Sequence, residues 1–239
     1  MSGLIESRRN ASAAVRRALA AACLGLLAAG DVQAAQSVWE LTPYRIRVLL
    51  AVAPQPELTA HLAEQVRAVI AERANTSIGA PWDLRVEAAP AALSRAMLKS
   101  LDALSFESLP GELLEGDDDK AILVSLDFRQ GSYLLAARDF DLRSRLETAA
   151  VVRSVASRPT LGEEAFRAIL AAFAPLAQIE RVADKQATLR LRAAALPAAD
   201  PTLAGVRAGD AFRAVIRFND REGKLRKLMP LDWTFLTVQ

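Results

Sequence analysis

The chain has almost no cysteine or histidine, two side chains that often carry metal, redox or nucleophilic chemistry. It contains one cysteine, Cys23, and one histidine, His61. We predict that Cys23 is removed with an N-terminal segment, which excludes disulfides, thiolate catalysis and cysteine-bound zinc in the rest of the chain. His61 falls on the polar face of a predicted helix without a second histidine or a serine motif, so it predicts neither a catalytic triad nor a metal site. The nucleotide-binding, hydrolase and metalloprotease sequence motifs are absent.

The first 34 residues have the composition of a secretory signal peptide. Arg8, Arg9, Arg16 and Arg17 precede an apolar run of 12 residues over 18–29, and residues 32–34 provide small side chains for cleavage. The run is short for a membrane span, although a retained N-terminal anchor is an alternative. Cys23 ends the sequence Ala-Ala-Ala-Cys, which is faintly similar to a lipoprotein cleavage box, so lipidation of Cys23 is a further alternative.

Beyond this segment the chain has no net basic charge, and aromatic residues are few throughout. Four of the 30 basic and two of the 28 acidic residues lie in the first 34, which leaves 26 of each and a formally neutral mature chain. Only 5% of the residues are aromatic, so the chain offers few surfaces for stacking bases or sugars. We therefore expect no nucleic-acid partner, no anionic-membrane partner and no integral membrane span in the mature chain.

Residues 36–175 predict an α+β domain with a mixed or antiparallel sheet and with helices on one face of that sheet. The predicted order is strand, helix, strand, helix, three strands and a last helix. The first strand is Tyr44–Val52, the first helix Leu58–Ala74 and the second strand Trp82–Glu87, and Leu93, Met97, Leu101 and Leu104 mark the second helix. A hairpin from Lys120 to Leu142 and the strand Ala149–Val155 follow, and the last helix runs from Thr160 to Phe173. Thr160 and Glu163 have the spacing of a capping box at the start of the last helix.

Residues 176–239 change character and predict a small β-barrel domain of SH3-like size. No helical period occurs here, and the predicted strands are Ile179–Val182, Ala187–Arg192, Ala211–Phe218, Lys224–Met229 and Trp233–Val238. The last strand runs almost to Gln239, so the chain could also be one piece of a longer protein.

The hairpin from Lys120 to Arg145 is the stretch around which the other elements are arranged. Its first strand places Ile122, Val124, Leu126 and Phe128 on one face, and the turn at Gln130–Ser132 returns the chain antiparallel.

This hairpin resembles the small α+β domains of bacterial envelope proteins of the TolB N-terminal, CsgG-like and FlgT type. The resemblance depends on Asp119, Lys120, Ile122, Val124, Gly131, Tyr133, Ala137, Arg138 and Asp141, and Val206–Phe212 is similar in turn to the SH3-like domain that ends FlgT. It implies domains that bind partners or scaffold assemblies, so no catalytic residues carry over. The chain also resembles uncharacterised secreted bacterial proteins, for which no activity is implied.

Two groups of charged residues are candidate sites. Gly116–Asp119 clusters carboxylates that Ca²⁺ could use, but the spacing of an EF-hand is absent and a solvated loop is the better interpretation. On the return strand, Asp139, Asp141, Arg143 and Arg145, beside Arg138, predict either a ligand-binding ladder or ion pairs on a solvent-facing side of the sheet, and we favour the latter.

The C-terminal region has the only concentration of basic residues in the mature chain, at Arg190, Arg192, Arg217, Arg221, Lys224, Arg226 and Lys227. An acidic partner could use them, but protection of exposed strand edges explains them better. Trp39, Trp82 and Trp233 are spread one per region, which indicates anchors of cores or domain junctions rather than a binding platform.

These patterns predict an exported, non-enzymatic binding or scaffold protein of the bacterial periplasm or cell envelope. Its partner would be an envelope protein or polymer, and no cofactor, metal or catalytic residue is predicted. One alternative is a periplasmic hydrolase that uses Asp117–Asp119 with Glu87 or Glu115. Another is an extracytoplasmic domain of a larger membrane-anchored protein.

Overall fold

The computed structural model describes residues 38–239 except 204, 223 and 224. The predicted signal peptide over 1–34, Cys23 and Lys224 therefore lie outside the described residues. Ten strands and four α-helices are described: β1 Tyr44–Val52, α1 Ala60–Arg73, β2 Trp82–Ala88, α2 Ala91–Lys99, α3 Gly111–Glu115, β3 Lys120–Arg129, β4 Ser132–Asp141, β5 Leu146–Glu147, β6 Val151–Val155, α4 Leu161–Ala172, β7 Ala177–Ala183, β8 Gln186–Leu191, β9 Ala211–Asn219 and β10 Leu225–Thr237.

The first six strands form one mixed sheet. Its order is β2-β1-β3-β4, and both β5 and β6 pair with β4. Strand β1 runs parallel to β2 and β3, whereas β4 is antiparallel to β3, β5 and β6. The mixed sheet is confirmed, and so is the predicted element order apart from α3 and β5, which lie where the sequence predicts a polar link and a turn.

The turn between β3 and β4 fixes their register. Gln130 and Gly131 both have positive φ, as the two-residue hairpin turns that match strand twist require. The resulting pairing sets Lys120 opposite Asp141 and Ile122 opposite Asp139.

Helices cover both faces of the sheet, which corrects the prediction of helices on one face. Helices α1 and α4 pack on the face that carries Ile46, Val48, Ile122 and Val124. Helix α2, helix α3 and the loops beside them cover the opposite face, where Leu93, Met97, Leu101, Leu104, Leu109 and Leu113 contact Leu49, Leu123 and Phe140. Strand β3 is therefore buried on both faces from Lys120 to Leu126.

Two local predictions about helices need correction. Thr160 makes no capping hydrogen bond to α4; it belongs to a 3₁₀ turn, and its hydroxyl donates to the Ser157 carbonyl at 2.9 Å, while Glu163 pairs with Arg73. The predicted second helix ends at Lys99, so Leu101 and Leu104 reach the core from a loop. Helix α1 is capped by Thr59, whose hydroxyl accepts the Leu62 N–H at 3.2 Å.

The C-terminal strands form two separate antiparallel pairs, β7 with β8 and β9 with β10. The last two predicted strands are one long strand, β10, with an irregularity between Pro230 and Phe235. No ladder joins the two pairs among the described residues, so a closed SH3-like barrel remains a prediction.

Candidate functional site

A buried lysine lies between two aspartates where β3 and β4 meet. Lys120 Nζ donates to Asp139 Oδ2 at 2.7 Å and to Asp141 Oδ2 at 2.9 Å, and it lies 5.0 Å from the centre of the Phe173 ring. Burial alone would lower the pKa of Lys120, but the charges and hydrogen bonds of Asp139 and Asp141 outweigh burial and raise it. The lysine is therefore held as a cation inside the fold.

The backbone orients these carboxylates further. The Ala174 N–H, just after α4, donates to Asp139 Oδ2 at 2.9 Å. Asp141 Oδ1 accepts the N–H groups of Arg143 and Ser144 at 3.1 and 2.6 Å. The end of α4 and the loop after β4 are thus tied to one charge centre.

A second centre surrounds Asp119, which is fully buried. Its carboxylate accepts the Arg45 N–H at 2.9 Å and Arg192 Nη2 at 2.5 Å, and it also bonds Arg143. Arg192 also donates to the Pro43 carbonyl at 2.9 Å and lies over the rings of Trp39 and Tyr44. Burial lowers the pKa of Arg192, and the charge of Asp119 opposes that shift. These contacts join the end of β8 to the main sheet.

Tyr44 is a third tie between the sheet and the C-terminal region. Its hydroxyl accepts the Leu176 N–H at 2.8 Å and donates to the Leu176 carbonyl at 3.4 Å. Burial raises the pKa of Tyr44 to about 12. The phenol therefore stays protonated wherever the protein is folded at ordinary pH.

The run Asp117–Asp119 is not the solvated loop that the sequence predicts. Asp118 is buried and contacts Arg47 at 2.7 Å and Arg85 at 2.6 Å. Only Asp117 is largely exposed, with Arg45 at 3.6 Å. Within the described residues no three acidic, histidine or cysteine side chains converge as a metal site would require.

The same geometry divides the carboxylates named in the hydrolase alternative into two groups. The carboxylates of Asp118 and Asp119 are engaged by arginines, while Glu87 and Glu115 are exposed.

The prediction of a solvent-facing ladder on β4 is wrong for its central members. Asp139 and Asp141 are buried, as is Arg138. Arg138 donates to the carbonyls of Leu101, Asp102, Leu104 and Thr148 at 2.6–3.0 Å. Arg145 donates to the Leu114 carbonyl at 3.4 Å and lies over Phe106. These charges join loops to the sheet instead of facing solvent.

A cleft of about 1000 Å³ lies above the Lys120 centre. Asp139, Asp141 and Arg143 line its floor together with Phe173, and strands β7 and β9 line its walls. Among the described residues, Asp139 Oδ1 and Trp39 Nε1 are buried polar atoms without a hydrogen-bond partner, and both residues line this cleft. Four other such atoms in the described part of the chain belong to Arg47, Asp118, Arg153 and Arg192, which do not line the cleft.

The basic cluster and the tryptophans divide between core and surface. Arg192 is buried and Arg190 pairs with Glu180, whereas Arg217, Arg221, Arg226 and Lys227 are exposed. Trp82 is buried in the main core and packs on Phe166 and Phe173, as predicted. Trp233 is 93% exposed, so the prediction that it anchors a core is wrong.

Exposed large apolar side chains concentrate on the β9–β10 pair. They are Ile216, Phe218, Met229, Trp233 and Phe235, which we call the hairpin patch. Ile216 and Met229 are direct cross-strand partners. The alternation of the sequence predicted strands here but did not predict this exposure, because a barrel would have buried alternate residues.

The fold defines the class of the described chain as mixed α/β, with a mixed six-stranded sheet between helices. No helix among the described residues is long and apolar enough to span a membrane. No protein-family model and no curated protein matches the chain.

Three solved structures are weakly similar to it. TolB from Acinetobacter baumannii has a TM-score of 0.34 at 10% identity over 55% of this chain, which spans 28% of the TolB chain. Lipoprotein GNA1162 from Neisseria meningitidis has a TM-score of 0.28 at 17% identity, with 47% of this chain and 80% of that chain covered. A PelC dodecamer from Paraburkholderia phytofirmans has a TM-score of 0.27 at 16% identity, with 54% and 88% covered.

Proposed function

We propose that this chain is an exported binding or scaffold protein of the bacterial cell envelope that acts through contacts with another protein. The observation that supports this most is the hairpin patch, in which Trp233 is 93% and Phe235 is 62% exposed. Within it, Ile216, Phe218 and Met229 share one face of the strand pair, and large apolar side chains exposed together are typical of interaction sites. Aromatic residues in such patches contribute most of the binding energy when a partner covers them.

The charge centres support a binding role over catalysis. Lys120, Asp119 and Asp118 each bond to internal partners and connect separate parts of the chain. Such centres position elements of a fold, whereas a catalytic group must reach a substrate. Export is supported by the composition of residues 1–34.

The test is recovery of a partner by the purified protein from a cell-envelope extract. Wild type should recover a defined protein, and the Trp233→Ser/Phe235→Ser variant should lose it. Val152→Ser is the matched control, because Val152 is exposed on β6 and lies outside the hairpin patch. Loss of binding in both variants, or repeated recovery of nothing by wild type, would contradict the proposal.

A further inference from the structure

The walls of the cleft are strand edges without strand partners. Among the described residues, β7 pairs only with β8, and β9 pairs only with β10. The outer edge of each strand therefore carries backbone N–H and C=O groups that no neighbouring strand satisfies.

Both of these strands line the cleft, together with Leu189 of β8 and Leu228 and Leu236 of β10. Every residue from Ala211 to Arg217 of β9 lines it, and so does every residue from Ala174 to Ile179, which includes the start of β7. Successive side chains of a strand point to opposite faces. Where consecutive residues of a strand all line a cleft, both faces of the strand border it, and we infer that the edge between those faces is turned toward the cleft.

Apolar side chains flank these edges. Ile179 and Leu189 are cross-strand partners on the β7–β8 pair, and Phe212, Ala214, Ile216 and Leu236 stand on one face of the β9–β10 pair. Ile179 and Ile216 are large and exposed. An occupant with apolar side chains at alternate positions would remove them from water.

The polar groups along the cleft discriminate between possible occupants. At its floor, Asp139 is 1% exposed and its Oδ1 accepts no hydrogen bond from the described residues. A buried acceptor left in this state lowers stability until a donor reaches it. Along the β9 wall, Arg217 offers a cation to an acidic group, whereas Arg213 lies 3.8 Å from Asp232. A hydrocarbon chain would satisfy neither the strand edges nor these charged groups.

We propose that the cleft receives an extended polypeptide segment of a partner protein, which adds as a strand to the edge of β9 and lies beside β7. Backbone hydrogen bonds would supply affinity and alternate apolar side chains would supply specificity, as in other cases of strand addition. Charge complementarity places an N–H or ammonium donor of the segment near Asp139 and an acidic side chain near Arg217. This inference rests on the proposed binding function and adds its mode and the chemistry of its partner.

The test uses a displayed library of short random peptides, selected on the purified full chain. Selected peptides should alternate apolar and polar residues and carry a basic and an acidic residue at opposite ends. Methylation of alternate backbone nitrogens should weaken their binding at least about tenfold, a loss of about 1.4 kcal/mol, because it removes the donors that pair with a strand edge.

Matched variants locate the binding. Ile179→Asp and Ile216→Asp should each weaken binding at least about tenfold, since each sets a charge in an apolar wall. Val182→Asp is the control, because Val182 is an exposed apolar residue of β7, like Ile179, but does not line the cleft. The affinity of this variant for the peptides should stay within about twofold of wild type. Circular dichroism confirms that each variant is folded.

Other outcomes would overturn the inference. A peptide of residues 18–37 that outcompetes every selected peptide would make the occupant a segment of this chain, and concentration-dependent dimers broken by Ile216→Asp would make it a second copy. Equal binding of methylated peptides, or tighter binding of dodecylamine, would exclude strand addition. If the Trp233→Ser/Phe235→Ser variant loses its envelope partner while peptide binding fails throughout, the proposed function stands and only this mode is wrong.

Discussion

At the scale of single residues, Lys120 is a buried charge on which the packing of the sheet depends. It is fully buried, and Asp139 and Asp141 are buried with it. Lys120→Met should destabilise the protein by about 3–5 kcal/mol, because two buried carboxylates lose their counter-ion. Urea unfolding measures this loss.

Two further variants make this prediction specific. Asp117→Asn changes a carboxylate that is largely exposed, so its effect should stay within about 0.5 kcal/mol. Lys120→Met combined with Asp139→Asn and Asp141→Asn should recover part of the loss, because no unpaired charge remains. A Lys120→Met protein as stable as wild type would show that the carboxylates find other partners.

Tyr44 predicts how stability changes at alkaline pH. Burial raises its pKa from 10.0 to about 12 in the folded protein. The unfolded phenol therefore loses its proton first, and stability should fall as pH rises from 10 to about 12, by at most about 3 kcal/mol. Lys120, whose pKa is also raised, contributes in the same direction.

Unfolding in urea at several pH values across this interval measures the slope. Tyr44→Phe should give a shallower fall, because only the Lys120 contribution remains. Tyr133→Phe, at the other tyrosine of the chain, should keep the steep fall. Identical slopes for wild type and Tyr44→Phe would show that the phenol does not ionise in the unfolding equilibrium as expected.

Part of the charge arrangement was available from the sequence. Alternation correctly set Asp139 and Asp141 on one face of β4, but it could not reveal that the segment after α4 covers this face. Lys120 and Asp141 stand at equal distances from the Gln130–Gly131 turn, so a two-residue turn alone places them opposite each other. This equal spacing from the turn is the feature of the sequence that indicated the Lys120–Asp141 pair.

At the scale of elements, α1 and α4 approach each other where α4 carries a glycine. A Cβ on Gly162 would lie 2.6 Å from Val69 Cβ. Gly162→Ala should therefore destabilise the protein by about 1–3 kcal/mol, although alanine is the better helix former by about 1 kcal/mol.

A double-mutant cycle separates these effects. Val69→Ala should relieve the overlap, so that Gly162→Ala becomes neutral or stabilising in that background. Gly111→Ala in α3 is the control, since a Cβ at that position would have no neighbouring atom within 4 Å and the substitution should not destabilise. Equal effects of Gly162→Ala in both backgrounds would contradict close packing as the cause.

Arg192 joins β8 to the main sheet through a geometry that only arginine provides. It bonds Asp119 and the Pro43 carbonyl and lies over two rings. Arg192→Lys should therefore increase hydrogen exchange in β7 and β8, because an ammonium cannot make the same planar contacts. Arg190→Lys, on the exposed Glu180 pair, should leave exchange unchanged.

Element order was predictable, whereas the layers were not. Strand and helix periods gave the order of the elements in the main sheet. The continuous apolar run from Ala121 to Val124 is typical of a strand that is covered on both faces. This run therefore indicated helices on both sides of the sheet, whereas the composition of α2 alone did not show which face α2 covers. The exposure of the hairpin patch could not be predicted, because a barrel and two open strand pairs have the same alternation of apolar and polar residues.

At the scale of the whole molecule, processing of the N-terminus is the prediction with the clearest chemical readout. Cys23 is the only cysteine, and cleavage after Ala34 would remove it. The exported protein should therefore not react with a maleimide, while the precursor should. Ala34→Arg should block cleavage and preserve the reaction, because the site requires a small side chain. A maleimide-reactive exported protein of full length would support a retained anchor instead.

The parallel pairing of the central strands has a consequence for how the chain acquires its structure in time. The Arg45 N–H in β1 bonds to Asp119, 74 positions later, and α4 covers the same core only after residue 161. Contacts between segments so distant in sequence form slowly, since a long loop must close first. A nascent chain cannot complete its core until α4 has been synthesised. For the exported protein that we propose, this delay would keep the chain unfolded during translocation, so that it would fold only after export.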